Sequence, residues 1–191
     1  MHLERIGETM KRALKIGILG LFFLLLNVSS GQKIKIRTAS GGLGIGIPEW
    51  KWDIGITPEV ELGLGEVVND IHLHPFFSFW YNSYDHENIS LSLKQLIFGF
   101  KLLYYLDYKY EGPYAGTGFS YHLLYPDHLK KHAISHTYYE QESVETRVGL
   151  FALVGYIFKY KSLRPYIESK FYLLPGDYSA FQLLGGVLYK F

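Results

Sequence analysis

The chain has 191 residues and a formal net charge of +1, so its length suits one domain and its charge gives no general case for nucleic-acid binding. It contains no cysteine, which excludes thiol catalysis, cysteine-based zinc sites, iron–sulfur clusters and a lipoprotein anchor.

The first thirty residues read as an export signal in three parts. A basic stretch ending at Lys15 precedes an apolar run of eleven residues, Ile16 to Leu26, and Ser30 then resembles the residue before a signal-peptidase cut. Eleven apolar residues are too few to span a bilayer, which needs ~20, so we expect cleavage rather than a membrane-anchoring helix. The predicted division is a signal peptide over 1–30 and one exported domain over 31–191.

Beyond this signal, apolar residues alternate with a period of two along almost every segment, which is typical of strands. The last segment shows it best, because Leu183, Val187 and Tyr189 share one face while Gln182 and Lys190 lie on the other. Counting such segments gives eight strands. They cover residues 33–47, 57–68, 71–83, 89–105, 113–125, 144–159, 164–174 and 180–191.

Two segments fit the alternation poorly. In the first, Ile36 is out of phase with Leu43, which predicts a β-bulge at Gly41 and Gly42 that resets the phase. The fourth segment is apolar on both faces near its end, so a helix over 91–106 is the alternative there.

The connections divide into short turns and longer loops. The short ones are 69–70, 107–112 and 160–163, and the longer ones are 48–56, 84–88 and 126–143. Short turns at one end, longer loops at the other and an even strand count are typical of bacterial outer-membrane barrels. The sequence therefore predicts an all-β fold, a transmembrane antiparallel up-and-down β-barrel of eight strands with both termini on the periplasmic side.

The two faces of the predicted strands differ in composition. One carries large apolar residues that match lipid, and the other carries glycine with charged residues and histidines. Eight strands enclose an interior just wide enough for side chains to fill, so charges inside it should pair with one another. The predicted polar network of the lumen comprises Glu59, Glu61, His72, His74, Lys101, His122, Glu145, Arg147, Glu168 and Lys170.

Aromatic residues near the strand ends predict two interfacial girdles. One girdle comprises Tyr104, Tyr105, Tyr160, Tyr189 and Phe191, and the other comprises Trp80, Tyr81, Tyr121, Tyr125 and Tyr172. With the apolar face turned inward instead, the same alternation would give a soluble, exported, lipocalin-like binder.

The last strand ends in an alternating apolar pattern formed by Leu183, Gly185, Val187, Tyr189 and Phe191. This pattern resembles the C-terminal signal of bacterial outer-membrane barrels. The stretch Pro113-Tyr114-x-Gly116-x-Gly118 is similar to one common among small eight-stranded barrels, the group that includes outer membrane protein X. The resemblance implies an outer-membrane location and recognition of the last strand by the barrel assembly machinery.

Histidines in the longest predicted loop are the candidate metal ligands. His128, His132 and His136 recur every four residues and would line one face of a helix. A polar surface loop with incidental histidines is the favoured explanation, because Pro126, Ser135 and Thr137 give little support to a stable helix. We therefore expect no metal site.

Catalytic motifs are weak. Ser120, His122 and Glu145 allow a triad to be drawn, but the His-x-Ser strand pattern of lipid A deacylases is missing. The glycines at 42, 44 and 46 lack both the spacing and the lysine of a phosphate loop. We expect no enzymatic activity, no catalytic residues and no cofactor.

These features predict a monomeric, non-enzymatic integral outer-membrane barrel with a structural or surface-interaction role. Its expected partners are outer-membrane lipid, the barrel assembly machinery and an extracellular partner at loops 126–143 and 48–56. The alternatives are a narrow channel lined by Lys101, Arg147, Glu168 and Lys170, and, less favoured, a lipid-A-modifying enzyme or the soluble binder.

Overall fold

The computed structural model describes residues 35–48, 54–68, 70–86, 89–107, 110–133, 136–140, 144–174 and 179–191, without the side chains of 48, 82–93 and 126–140. The predicted signal peptide over 1–30 lies outside the described residues. From Ile36 to Phe191 the chain forms one compact unit. None of its described segments is a helix of the length and apolarity needed to cross a membrane.

The unit is an antiparallel β-barrel. Its strands are β1 (Thr38–Pro48), β2 (Gly55–Gly63), β3 (Glu66–Val68), β4 (Ile71–His86), β5 (Ile89–Tyr105), β6 (Gly112–Ala133), β7 (His136–Glu140), β8 (Glu145–Ile157), β9 (Leu163–Leu173) and β10 (Ala180–Lys190). The ring runs in the order β1, β2, β4, β5, β6, β8, β9 and β10, and β10 pairs with β1 to close it. β3 continues the line of β2 along β4, and β7 pairs only with the far end of β6, so neither adds a strand to the ring. The barrel wall therefore has eight strands, which confirms the predicted fold class.

Burial along the strands of the wall follows the period of two read from the sequence. In β2 every second residue from Gly55 to Gly63 is buried and the residues between are exposed, and β9 alternates in the same way. The inward residues include large aromatic side chains, among them Phe76, Tyr114 and Phe151. The core of the protein therefore lies inside the barrel.

The first strand corrects one prediction. β1 begins at Thr38 and pairs residue by residue with both β10 and β2, with Gly41 and Gly42 in regular register. The predicted bulge is therefore absent from the described strand. The prediction was wrong because Ile36 lies before the first residue of β1, so it need not share the alternation of Leu43.

The fourth predicted strand was assigned correctly, and its helical alternative over 91–106 is wrong. β5 pairs along its length with β4 on one side and β6 on the other. Lys94 stands on the outer wall with Leu96 and Phe98, so this strand carries a charged residue on its apolar face.

The longest predicted loop, 126–143, is wrong over much of its length. β6 continues to Ala133 and forms a hairpin with β7, which returns to Glu140. The outer end of β5 supplies a partner for this part of β6, from Leu93–Pro126 to Ile89–Lys131. Polar composition concealed these strands, because the usual apolar alternation is absent from them.

We call the end of the barrel with Thr38 and Lys190 the terminal end, and the opposite end the loop end. At the loop end, β6 leaves β8 after the Leu124–Glu145 pair, and β4 leaves β2 after the Tyr81–Ile56 pair. Beyond those pairs β4, β5, β6 and β7 continue as one sheet, the four-strand extension. One side of the barrel wall is therefore taller than the other.

Candidate functional site

Charged side chains meet in the middle of the lumen, because β2, β5 and β9 carry them at inward positions. We call Glu59, Glu61, Lys101, Glu168 and Lys170 the central cluster. Their relative exposure is between 0% and 8%. Charges this far from water are costly unless they are paired and hydrogen-bonded, so the geometry of the pairs decides whether the interior is stable.

Lys101 contacts all three carboxylates of the central cluster. Its Nζ donates to Glu168 Oε1 at 2.8 Å and to Glu61, and it lies 2.8 Å from Glu59 Oε1. Lys170 Nζ donates to Glu59 Oε1 at 2.6 Å and lies 3.2 Å from Glu168 Oε1. The two ammonium groups therefore bridge the carboxylates into one network.

The central cluster has three carboxylates and two ammonium groups, and further hydrogen-bond donors surround the carboxylates. Tyr114 donates its hydroxyl to Glu168 Oε2 at 3.0 Å. His74 Nδ1 lies 2.9 Å from Glu61 Oε1, a bond that requires the proton on Nδ1 when Glu61 is ionised. The Phe76 ring centroid lies 4.8 Å from Lys170 Nζ, within cation–π distance.

A floor of aromatic and polar side chains closes the terminal end of the lumen. Tyr110 has a φ of 66° in the β5–β6 turn, and its buried side chain lies 3.2 Å from His72 Nδ1 through its hydroxyl. Arg164 donates from Nη1 to the Tyr110 carbonyl at 2.7 Å and pairs with Glu111 through Nη2 at 2.9 Å. Lys190 Nζ lies 5.7 Å from the Tyr110 ring centroid.

A neutral network fills the lumen towards the loop end. Gln182 Nε2 donates to Thr57 Oγ1 at 2.8 Å, and Thr57 and Ser78 share a hydroxyl–hydroxyl bond of 2.9 Å. Tyr172 donates its hydroxyl to Gln182 Oε1 at 3.1 Å. These residues lie on four strands, β2, β4, β9 and β10, so the network connects different parts of the wall across the interior.

Ser120 and His122 meet as the sequence suggested, with 2.7 Å between Oγ and Nε2. Gln95, and not Glu145, bonds the other imidazole nitrogen. Glu145 pairs with Arg147 at 2.7 Å at the rim, where the Glu145 side chain is 52% exposed. Ser120 and His122 both have 0% exposure, so the pair is buried in the lumen.

Of the ten residues predicted for the polar lumen, the structure brings six into the central cluster and its margin: Glu59, Glu61, His74, Lys101, Glu168 and Lys170. His72 lies in the floor, His122 lies in the upper lumen, and Glu145 and Arg147 lie at the rim. Sequence reasoning missed Tyr114, Gln95 and Gln182. Their inward parity on the strands was the signal that would have found them.

The histidines proposed as metal ligands follow an extended backbone instead of a helix. His128 and His132 lie in β6 and His136 begins β7, while their side chains are outside the described residues. Among the side chains that are described, no group of three or more His, Asp or Glu residues is arranged to hold a metal ion.

The outer wall is an apolar belt. Eleven of its residues, 38–62% exposed, are Leu43, Ile45, Val60, Phe77, Phe98, Leu150, Val154, Ile167, Phe171, Leu183 and Val187. Soluble monomers rarely expose an apolar patch of this extent, whereas membrane barrels carry such a band towards lipid.

The predicted girdles are correct in part. Tyr104, Tyr160 and Tyr189 are exposed near the terminal end, and Tyr81 and Tyr125 near the loop end. Tyr105, Trp80 and Tyr172 are wrong as girdle residues, because they stand at inward positions and are buried in the lumen.

Solved structures with this fold come from bacterial outer membranes. Neisserial surface protein A superposes with a TM-score of 0.55 at 16% identity, over 81% of this chain and 95% of that one. The chain folds as a small outer-membrane β-barrel. With its apolar belt, this barrel is an integral protein of the bacterial outer membrane.

Ail, the attachment invasion locus protein of Yersinia pestis, is similar to the barrel with a TM-score of 0.50 at 14% identity, over 82% of this chain and 100% of that one. No family model and no curated protein sequence matches the chain. The residues of the suggested C-terminal signal lie along the outer wall of β10 and at Phe191, and their recognition by the assembly machinery stays a prediction.

Proposed function

We propose that this outer-membrane barrel is a non-enzymatic, non-conducting scaffold that presents its four-strand extension to a partner outside the cell. The observation that carries the proposal is the contrast between a filled lumen and a wall that is extended on one side. The filled lumen offers no room to a solute or substrate. The extension, in contrast, projects regular β-structure beyond the ends of the other strands of the wall.

The filled lumen argues against the alternative of a narrow channel. Lys101 and Lys170 in the central cluster, and His122 and Gln182 towards the loop end, each have 0% exposure. A conducting pore needs water beside its charged side chains, as in the larger porins. The network of ion pairs and hydrogen bonds takes that space here.

The extension supports a role in surface interaction. β6 and β7 are paired from Leu129–Glu140 to Ala133–His136, which makes a hairpin of regular backbone instead of a slack loop. The stretch His128-Leu-Lys-Lys-His132 is locally basic. Ail, which shares the fold, has a solved complex with the heparin analogue sucrose octasulfate, so sulfated glycans are the first partner class to test on this chain.

The test is adhesion of bacteria that display the full protein, compared with bacteria that display a variant lacking residues 128–141. Surfaces coated with a sulfated glycan and layers of host cells serve as the two probes, and soluble sucrose octasulfate serves as competitor. We expect the deletion to reduce adhesion to at least one probe while the protein still reaches the outer membrane.

A matched control replaces the same residues by a Gly/Ser linker of equal length, which keeps the connection between β6 and β8. Equal adhesion by the full protein, the deletion variant and the linker variant on both probes would overturn the surface-interaction proposal. If the deletion variant loses adhesion but sucrose octasulfate does not compete with the full protein, the extension binds a partner other than a sulfated glycan.

A further inference from the structure

Two strand ends at the terminal end alternate aromatic with basic residues. After β8 the chain reads Phe158-Lys159-Tyr160-Lys161, and at the end of β10 it reads Tyr189-Lys190-Phe191. Every one of these side chains is exposed, with Phe158 at 50%, Tyr160 at 61% and Phe191 at 70%. Exposed aromatic rings beside lysines are an arrangement found where a membrane protein meets the headgroup level.

The two segments adjoin each other. The backbone N–H of Lys190 donates to the Ser162 carbonyl at 3.0 Å, and that of Phe191 donates to the Arg37 carbonyl at 3.0 Å. Arg37 therefore continues the same stretch of rim on β1. We call Arg37, Lys159 and Lys161 the basic arc, which runs from the β8–β9 turn past the end of β10 to the start of β1. The Lys190 ammonium group lies over the Tyr110 ring instead.

The charged residues that the structure describes in the rest of this rim are acidic. Its described residues, 64–68, 70, 106–107 and 110–111, include Glu66, Asp70, Asp107 and Glu111 and neither Lys nor Arg. Glu111 pairs through Oε1 with Nη2 of the buried Arg164 at 2.9 Å, and its Oε2 lies 3.7 Å from Lys159 Nζ, a longer contact. The Lys159 side chain is 83% exposed, so the basic arc keeps its charge available to the surroundings.

We propose that the basic arc binds the phosphate headgroups of anionic phospholipids in the leaflet around the terminal end of the barrel. The aromatic rings at 158, 160, 189 and 191 fix the depth of this rim in the interface. The lysines then reach phosphate oxygens from flexible stems. Because the acidic part of the rim repels the same headgroups, anionic lipids should collect on one side of the barrel.

The experiment measures retained lipid. The full protein is placed in nanodiscs of phosphatidylcholine mixed with phosphatidylglycerol, released into mild detergent, and the lipids that stay bound are counted by native mass spectrometry. We expect phosphatidylglycerol to be retained over phosphatidylcholine. Lys159→Gln/Lys161→Gln should lower the preference by roughly fivefold for each lysine removed.

Lys159→Arg/Lys161→Arg should retain the preference, and Asp70→Asn/Asp107→Asn in the acidic part of the rim should keep or increase it. Each variant is first checked for a folded barrel by its electrophoretic mobility without heating. Inorganic phosphate at matched ionic strength should not displace the lipid, because the rings hold the acyl region as well as the headgroup.

Equal retention of both lipids by the unmodified protein, an unchanged preference in the folded Gln variants, or full displacement by inorganic phosphate would each overturn the proposal. These results are independent of adhesion, because the basic arc and the four-strand extension lie at opposite ends of the barrel.

Discussion

Lys101 is the residue on which the interior depends. One ammonium group serves Glu59, Glu61 and Glu168 at once, from a position with 0% exposure. A buried ion pair adds little stability over apolar packing, but removal of one partner leaves charge without compensation. Removing one partner of the network should therefore lower the stability of the barrel by more than the intact network adds over apolar packing.

Replacement of this lysine tests that view. We expect Lys101→Met to lower the free energy of unfolding by about 3–5 kcal/mol, because three buried carboxylates would share one remaining ammonium group. Urea unfolding in detergent, followed by tryptophan fluorescence, measures the change. Lys161→Met, on the exposed β8–β9 turn, is the control and should change stability by less than about 0.5 kcal/mol.

A partial rescue sharpens the test. Adding Glu168→Gln to Lys101→Met removes one of the uncompensated charges, so the double variant should recover part of the lost stability. If Lys101→Met unfolds at the same urea concentration as Lys161→Met, the central cluster is not the electrostatic network described here.

Glycines on opposite faces of β1 give a second test at this scale. A Cβ at Gly46 would lie 2.2 Å from the Trp80 ring, whereas a Cβ at Gly41, on the outer wall, meets nothing within 4 Å. Gly46→Ala should therefore cost about 1–3 kcal/mol through overpacking, and Gly41→Ala should cost little. Urea unfolding of the two variants compares them directly, and equal midpoints would contradict the inward packing of Trp80.

Most inward residues could be predicted from parity alone, since Glu59 and Glu61, or Glu168 and Lys170, alternate with lipid-facing neighbours. Which of them touch could not be predicted, because contact across the lumen depends on stagger between strands far apart in sequence. Trp80, Tyr105 and Tyr172 misled for a related reason. Aromatic residues suit a girdle and a lumen equally, and only the position on the strand decides between them.

Among the elements, β6 departs most from its prediction. The first part of β6 has the glycine-rich alternation of a barrel strand. From Pro126 to Ala133 the sequence is mostly polar, and the apolar alternation stops. There the strand is held by backbone pairing with β5 and β7. Hydropathy alone cannot reveal a strand of this kind, because its sequence lacks the apolar alternation on which the prediction depends.

The hairpin should be dispensable for stability. The pairing of β6 with β8 stops at Leu124–Glu145, so residues 128–141 contribute nothing to ring closure. A variant that lacks them should therefore unfold at the same urea concentration as the full chain, within about 0.5 kcal/mol. A substantially lower midpoint would mean that the extension supports the barrel itself, and its loss of adhesion would then say nothing about a binding surface.

At the scale of the whole molecule, ring closure gives a distinctive electrophoretic property. The eight-stranded ring is closed and has no free sheet edge, so it should resist detergent until it is heated. The unheated protein should run faster on a detergent gel than the boiled protein. A single band under both conditions would contradict a detergent-resistant barrel.

The filled lumen makes a separate prediction. The protein in planar bilayers should show no large, stable conductance steps, because side chains at three levels of the lumen exclude water. Large steps from the folded protein would contradict the non-conducting scaffold and restore the channel. The eight-stranded barrel could be predicted from the sequence. That its lumen is filled could not, because this depends on the network of side chains seen only in the structure.

The central cluster also bears on how the chain reaches this state. Lys170 and Glu59 are 111 positions apart, and Lys101 and Glu61 are 40 apart, so no single hairpin brings these partners together. A half-assembled sheet would present these charges to hydrocarbon without their counter-ions, at high cost. Intermediates are thereby disfavoured against the finished ring. Assembly becomes cooperative, and the nascent sheet has a thermodynamic reason to close before it is released into lipid.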